Sequence, residues 1–198
     1  MPSPQAWSSL ARDIKQCQLC VGKLPLGPRP IFAGSPTARI AIIGQAPGRL
    51  AHLAGVAFAD ASGNRLRDWL GLDKTTFYDA ECVAITPMGF CYPGTAGGGD
   101  KLPDPICHMT WHRRQRALMP DLTLTLLVGG LAQKAYLADF SNVTDSVFAA
   151  RSGKAAMVPL PHPSWHNNAW LKKHPWFEME MLPRLRARVA QAIARSGC

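Results

Sequence analysis

The fold is decided by one stretch, RIAIIGQAPGRLAHLAGVAFADASGNRLRDWL, which occupies residues 39–70. Its apolar run at residues 40–43 is too short for a helix and rich in β-branched side chains, so it predicts a buried strand. The glycines and proline of residues 44–48 predict a tight loop at the carboxyl end of that strand. Residues 60–63 then lead into an amphipathic helix. Ligands of open α/β sheets bind outside the carboxyl ends of the strands, so these loops indicate where a site lies.

Three further apolar runs continue this pattern, at residues 80–86, 122–128 and 155–160. Short buried strands that alternate with helical stretches predict an α/β fold with a parallel sheet flanked by helices. The chain has the length of one well-buried domain and shows no internal repeat. We therefore interpret residues 1–198 as a single domain.

Three other segments carry local predictions. Residues 21–37 are rich in proline and glycine and predict an extended connector without helix or ladder potential. Residues 87–105 contain five glycines and four prolines, and long loops of this kind are usually functional or disordered. Residues from about 176 to 195 have a helical pattern, and Pro183 inside it predicts a kink or a break.

The charge of the chain favours a polyanionic partner. The formal net charge is +9 and the pI is about 9.6, which suits DNA or RNA, although a merely basic surface explains the charge equally well. The sequence has no apolar run of membrane-spanning length and no apolar core of a signal peptide. We therefore expect a soluble cytoplasmic protein without a membrane partner. We also expect a monomer.

The cysteines suggest a metal centre. Six cysteines in a reducing compartment argue for metal rather than for disulfides. Cys17 and Cys20 form a CxxC pair, a spacing that suits two thiolates on one centre. Cys91 and Cys107 lie far downstream, and a shared centre would join the N-terminal arm to that later loop. Cys82 lies within an apolar run and is interpreted as a core residue.

Three single residues are candidates for chemistry, each with a structural alternative. His162 stands between Pro161 and Pro163 at a predicted strand end; the rigid backbone would aim its imidazole, unless it is a structural histidine bonded to a carbonyl. Phe58 is either a core residue or a platform for a planar ring. Asp60 is either a base that orients water or the N-cap of the following helix.

Four motifs together resemble the uracil-DNA glycosylase superfamily. They are GQAPG after the first strand, Phe58 in a GxxF loop, DASG at the start of a helix and HPSWHN after the last strand. The CxxC pair with two later cysteines resembles the branches that carry a [4Fe-4S] cluster. The resemblance spans about residues 11–168. It indicates that this chain is a divergent member that resembles those branches.

This resemblance implies a three-layer α/β/α sandwich around a four-stranded parallel sheet. It also implies hydrolysis of the N-glycosidic bond of uracil or another deaminated base, flipped out of single- or double-stranded DNA. His162 would hydrogen-bond the uracil O2 as negative charge develops on the leaving base. Phe58 would stack on the base, and the HPSWHN loop would enter the minor groove.

The resemblance also assigns the remaining roles. The implied catalytic residues are His162, Asp60, as the base that activates water, and Gln45. The implied substrate-binding residues are Gly44, Ala46, Phe58, Thr86, Ser164 and Asn168. The implied ligands of a structural [4Fe-4S] cluster, with zinc as the alternative metal, are Cys17, Cys20, Cys91 and Cys107.

Three positions depart from the family pattern. Ala46 stands where the best-known uracil enzymes have Asp, and Gln45 stands where the iron–sulfur branch usually has Glu. The residues around Thr86 lack the Asn that reads the uracil edge in that branch. Two other interpretations therefore stay open: a nucleic-acid-binding or lesion-sensing protein with weak or no activity, and a zinc-stapled domain with an unrelated small-molecule site.

Overall fold

A four-stranded parallel sheet forms the centre of the computed structural model, which describes residues 4–152 and 155–194. The strands of the described residues are β1 Ile40–Ile43, β2 Val83–Ile85, β3 Thr95–Ala96, β4 Gly99–Asp100, β5 Leu124–Val128 and β6 Met157–Leu160. The order across the central sheet is β2-β1-β5-β6, with all pairs parallel. The four predicted strands are confirmed, and the last three begin two or three residues later than predicted.

Helices connect and cover the strands. Those of the described residues are α1 Pro4–Lys15, α2 Arg49–Ala54, α3 Ala61–Leu70, α4 Lys74–Tyr78, α5 Ile106–Ala117, α6 Gly130–Tyr136, α7 Val143–Ala149, α8 Asn168–Lys173 and α9 Leu182–Ala194. Short 3-10 turns occupy Ala150–Ser152 and Trp165–Asn167, and a π-helical turn occupies Phe177–Met181. No helix of the described residues is both long and apolar enough to cross a bilayer.

The sheet is covered on both faces, as the alternation of side chains in β1 shows. Ile40 and Ile42 pack in one core cluster with residues of α3 and α9, such as Leu66 and Leu185. Ile43, which points the other way, packs in a separate cluster with Ala132 and other residues. Every residue of β1 is buried. The predicted α/β fold with helices flanking a parallel sheet is therefore confirmed.

Two of the segments predicted as irregular contain β structure. Ala33, in the connector of residues 21–37, exchanges two backbone hydrogen bonds of 2.9 Å with Ile85 in an antiparallel bridge. The prediction of a connector without ladder potential is wrong at this residue. In the segment of residues 87–105, β3 and β4 form a small antiparallel hairpin, which the glycine-rich sequence did not indicate.

The C-terminal helix is irregular near the predicted position. The π-helical turn ends at Met181, and α9 begins at Leu182, directly before Pro183. The arginines of α9 donate to backbone carbonyls of other elements: Arg184 to Arg151, Arg186 to Asp68 and Arg188 to Ala155. These guanidinium groups therefore help to hold α9 against the rest of the fold.

Candidate active site

The loops after β1, β2 and β6 surround one cleft of about 510 Å³. Most of the predicted site residues line it: Gly44, Gln45, Ala46, Phe58, Asp60, His162 and Ser164. The carboxyl ends of parallel strands meet at one edge of the sheet, which brings these distant sequence motifs together. The prediction of one shared site at the strand ends therefore agrees with the structure.

Thr86 and Asn168 are the two predicted substrate-binding residues that do not line the cleft. Thr86 is buried behind the wall, and its N–H donates to Ile42 at 2.9 Å. Asn168 accepts a hydrogen bond of 2.8 Å from Arg65 through its Oδ1. This geometry does not support their assignment as substrate-binding residues. The Thr86 side chain is buried, and the Asn168 side chain is hydrogen-bonded to Arg65.

A buried histidine supports the wall next to Thr86. The ring Nε2 of His112 lies 3.0 Å from the Pro87 carbonyl, and its Nδ1 lies 2.6 Å from the Tyr136 hydroxyl. A carbonyl only accepts, so Nε2 carries the hydrogen and Nδ1 accepts from the tyrosine. Burial lowers the pKa of His112 to about 4. This neutral histidine fixes Pro87, which lines the cleft.

His162 is held at the cleft with a defined tautomer. The N–H of Ser164 donates to its Nδ1 at 3.2 Å, and the Asn167 side chain donates to its carbonyl at 2.7 Å. Burial lowers the pKa of His162, although the carboxylate of Asp60 opposes this shift. The ring is therefore neutral near pH 7, and because Nδ1 accepts, the hydrogen resides on Nε2. His162 offers the cleft a single N–H donor.

The strand end behind His162 is tied by buried hydrogen bonds. The N–H of Gly129 donates to the Leu160 carbonyl at 2.9 Å. The side chain of Gln133, which is fully buried, donates to the same carbonyl at 2.8 Å. Leu160 is the last residue of β6, so these bonds fix the point at which the chain turns toward His162.

Phe58 lies over the first glycine of the GQAPG loop, in an unusual backbone conformation. Its φ of 56° is in the left-handed region, which bulky residues rarely adopt. Its carbonyl accepts from the Tyr78 hydroxyl at 3.0 Å. A Cβ on Gly44 would lie 3.1 Å from the Phe58 ring, and a Cβ on Gly63 would lie 1.8 Å from the Phe58 carbonyl oxygen. Glycine at both positions therefore lets the ring reach the cleft.

Asp60 combines the two roles that the sequence left open. Its Oδ1 accepts from the N–H of Gly63 at 2.8 Å, so Asp60 is the N-cap of α3. The same residue lines the cleft. The cap fixes the carboxylate at the cleft wall, so the structural role and a role in catalysis are compatible.

The GQAPG loop is joined to two other segments. The N–H groups of Met88 and Gly89 donate to the carbonyls of Gly44 and Gln45 at 2.8 and 2.9 Å. The Gln45 side chain donates to the Lys101 carbonyl at 3.3 Å. The side chain of Gln45 is thus directed to the backbone after the β3–β4 hairpin. With Ala46 beside it, this loop contributes no carboxylate to the cleft.

Asp100 is an ionisable cleft residue that the sequence interpretation missed. It is the last residue of β4, and the hairpin carries it to the wall beside Gly48, where its Oδ2 lies 3.2 Å from the position of a Cβ on that glycine. Burial and the nearby Asp60 carboxylate raise the pKa of Asp100. Among the described residues that line the cleft, no lysine or arginine occurs. The only sequence signal was an acidic residue in a long glycine-rich loop.

A second, larger cavity of about 760 Å³ shares the lining residues Ala57, Asp60 and Ile85 with this cleft. It contains neither His162 nor any residue of the GQAPG loop. We assign the site to the smaller cleft because the motif residues Gln45, Phe58 and His162 converge there and do not line the larger cavity.

The four cysteines predicted as ligands line one separate cavity. Cys17 and Cys20 follow α1, and Cys91 and Cys107 line the same cavity. Burial raises the pKa of Cys91 to about 11 and that of Cys107 to about 12. In residues 4–152 and 155–194, no group of three or more His, Cys, Asp or Glu side chains is placed to hold a metal ion. The thiols therefore share a cavity without forming a ready coordination set.

The fold and the cleft define a class of protein: an α/β domain whose strand-end loops present an aromatic ring, an imidazole donor and a carboxylate to one cleft. Residues 31–186 match the family model of the uracil DNA glycosylase superfamily. The chain belongs to this superfamily. Its membership confirms the family that the sequence motifs indicated and supports DNA glycosylase activity in general.

Proposed function

We propose that this protein hydrolyses the N-glycosidic bond of uracil or another deaminated base that is flipped out of DNA. The observation that carries the proposal is the convergence of Phe58, Asp60 and His162 on one cleft at the strand ends. Flipping is required because the bond lies inside the base stack, and a mispaired or damaged base is the easiest to extrude.

In the proposed reaction, the flipped base stacks on Phe58 and its carbonyl accepts from Nε2 of His162. The bond between C1′ and the base nitrogen breaks, and its electron pair goes to the base. Water forms the new bond to C1′, and its proton passes to the Asp60 carboxylate. His162 acts as a neutral donor to the developing negative charge, as in an oxyanion hole.

DNA contact is proposed for the rim of the cleft rather than for its interior. The walls of the cleft carry the carboxylates of Asp60 and Asp100, which repel phosphates. Trp165 at the rim is 70% exposed and stacks on His166 with ring centroids 3.8 Å apart. An exposed aromatic pair next to the base pocket suits insertion into the base stack.

The test is release of free base from oligonucleotides that carry uracil, hypoxanthine or xanthine, single- or double-stranded. Release by the wild-type protein establishes the activity and names the lesion. Binding of DNA without release of any of these bases favours the second candidate, a lesion-sensing protein. The observation in favour of that candidate is that the GQAPG loop contributes no carboxylate, since Gln45 and Ala46 occupy its central positions.

We also propose that the cysteine cavity holds a structural [4Fe-4S] cluster, with zinc as the alternative. The support is the donor set, since the four thiols of Cys17, Cys20, Cys91 and Cys107 line one cavity. Four cysteine thiolates are the usual ligands of such a cluster. When bound, the group would cross-link the segment after α1, the segment between β2 and β3, and the start of α5. Base hydrolysis needs no electron transfer, so its role is in folding.

Cys107→Ser is expected to remove the cluster and destabilise the fold. Purified wild-type protein should be brown and contain iron and sulfide, whereas the variant should be colourless. Loss of a metal site is among the largest single-residue effects, about 4 kcal/mol or more in the free energy of unfolding. Metal analysis measures the loss of the cluster, and thermal melting measures the loss of stability. A colourless wild-type protein that contains zinc would contradict the cluster and support the alternative metal.

A further inference from the structure

The hairpin that interrupts the glycine-rich segment places a second carboxylate at the cleft. β3 and β4 pair Thr95 with Asp100, and the Gln45 side chain ties the following residue, Lys101, to the GQAPG loop. Asp100 lines the cleft together with Asp60, which caps the start of α3. Its Oδ2 lies against Gly48, where a side chain would meet it at 3.2 Å.

The two ends of the scissile bond make opposite electrostatic demands. As a glycosidic bond breaks, the sugar takes on positive charge, as in an oxocarbenium ion, and the leaving base takes on negative charge. In the proposed reaction, His162 stabilises the negative charge on the base. A carboxylate stabilises positive charge on the sugar. One carboxylate oxygen of Asp60 already accepts a hydrogen bond from the N–H of Gly63. No carboxylate comes from the GQAPG loop, whose sequence contains none.

We propose that Asp100 is a further catalytic residue of this cleft, which stabilises the positive charge that develops on the deoxyribose. This inference rests on the glycosylase function proposed above. The bonds broken and formed are those of that reaction, and Asp100 keeps its charge throughout. A fixed negative group placed where positive charge develops contributes more to the transition state than to the ground state.

The surroundings of Asp100 fit this role. The titratable groups that share the cleft with it are Asp60, His162 and His166, and Lys101 follows it in the chain. Of the ion pairs in the described residues, none includes Asp100. An unpaired carboxylate opposes the binding of a polyanion, so its placement at the mouth of a DNA-binding cleft favours turnover at the expense of affinity.

Asp100→Asn should therefore lower kcat without raising KM. We expect kcat for base release to fall about 10-fold or more, less than for a buried group because Asp100 lies near solvent. KM for DNA should be unchanged or lower, because one charge that repels phosphates is removed. Asp100→Glu should recover part of kcat. Asp139→Asn, which removes an exposed carboxylate outside the cleft, should leave kcat unchanged.

The measurements are single-turnover rates, KM and melting temperature for the four proteins. An unchanged kcat in Asp100→Asn, or a KM that rises while kcat stays constant, would overturn this inference alone. An equal loss in Asp100→Asn and Asp100→Glu with a lower melting temperature would show a role in folding and overturn it too. A wild-type protein that releases no base overturns the proposed function itself.

Discussion

His162→Ala should lower kcat for base release by about 10²–10³-fold, the usual effect of removing one oxyanion-type donor. The Nδ1 of His162 accepts from Ser164, so Nε2–H is the donor that the variant loses. DNA binding should survive, because the neutral imidazole lies within the cleft and makes no ionic contact with phosphates. Single-turnover kinetics and a binding titration with the same oligonucleotide measure the two effects.

A change of leaving group provides a second measurement of this prediction. The anion of 5-fluorouracil is more stable than that of uracil and needs less help from a donor. The loss in His162→Ala should therefore be smaller for 5-fluorouracil. His174→Ala is the matched control, because this histidine lies in an aromatic cluster with Trp170 and Trp176, outside the cleft. An equal loss with both bases, or unchanged turnover, would rule out the proposed role of His162.

Asp60→Asn should lower kcat by about 10²–10⁴-fold, the usual contribution of a general base, with little change in melting temperature. Asparagine caps helices as well as aspartate does, so the hydrogen bond from the N–H of Gly63 is kept. Only the ability to accept a proton from water is lost. Base-release kinetics and thermal melting on the same preparation separate these two contributions.

Two further variants complete this test. Asp60→Ala should show the same loss of kcat and, in addition, a decrease of about 1 kcal/mol in the free energy of unfolding, because the cap is removed. Asp73→Asn is the control, since Asp73 caps α4 through the N–H of Thr76 at 2.7 Å and does not line the cleft. If Asp60→Asn keeps full activity, Asp60 is only a helix cap.

The sequence predicted the sheet and most of the cleft because both depend on local signals. Short runs of β-branched and other apolar residues identify buried strands, and the carboxyl ends of such strands meet at one edge. The turns that follow contain the unusual residues, such as the GQAPG loop and His162. No long-range contact has to be known to bring these residues to one side of the sheet.

The remaining features depend on contacts between distant segments. Ala33 pairs with Ile85 across more than fifty residues, and no local pattern marks that pairing. Asp100 reaches the cleft only because a hairpin folds toward the GQAPG loop. The family resemblance placed Thr86 in the substrate-binding set, but its backbone bonds to Ile42 and its side chain is buried. Alternation along the chain decides which side a residue faces, and a shift of one residue reverses it.

The net charge of the chain indicated the class of partner. It did not indicate which surface contacts that partner. The net charge of +9 suggested nucleic acid, and arginines cluster in α9. The three arginines of α9 donate to backbone carbonyls within the fold, whereas the cleft lining includes the carboxylates of Asp60 and Asp100. Composition counts charges and carries no information about which of them face the ligand.

The hydrogen on Nε2 of His162 can affect the rate of base release without affecting which base is released. In the proposed reaction this donor meets the carbonyl oxygen beside the glycosidic nitrogen, and uracil and cytosine both carry that oxygen. An interaction that two competing substrates share cancels from the ratio of their kcat/KM values. In the proposed reaction, His162 therefore accelerates excision without distinguishing uracil from cytosine. A change of preference between these two pyrimidines can be made elsewhere in the cleft wall while this histidine stays in place.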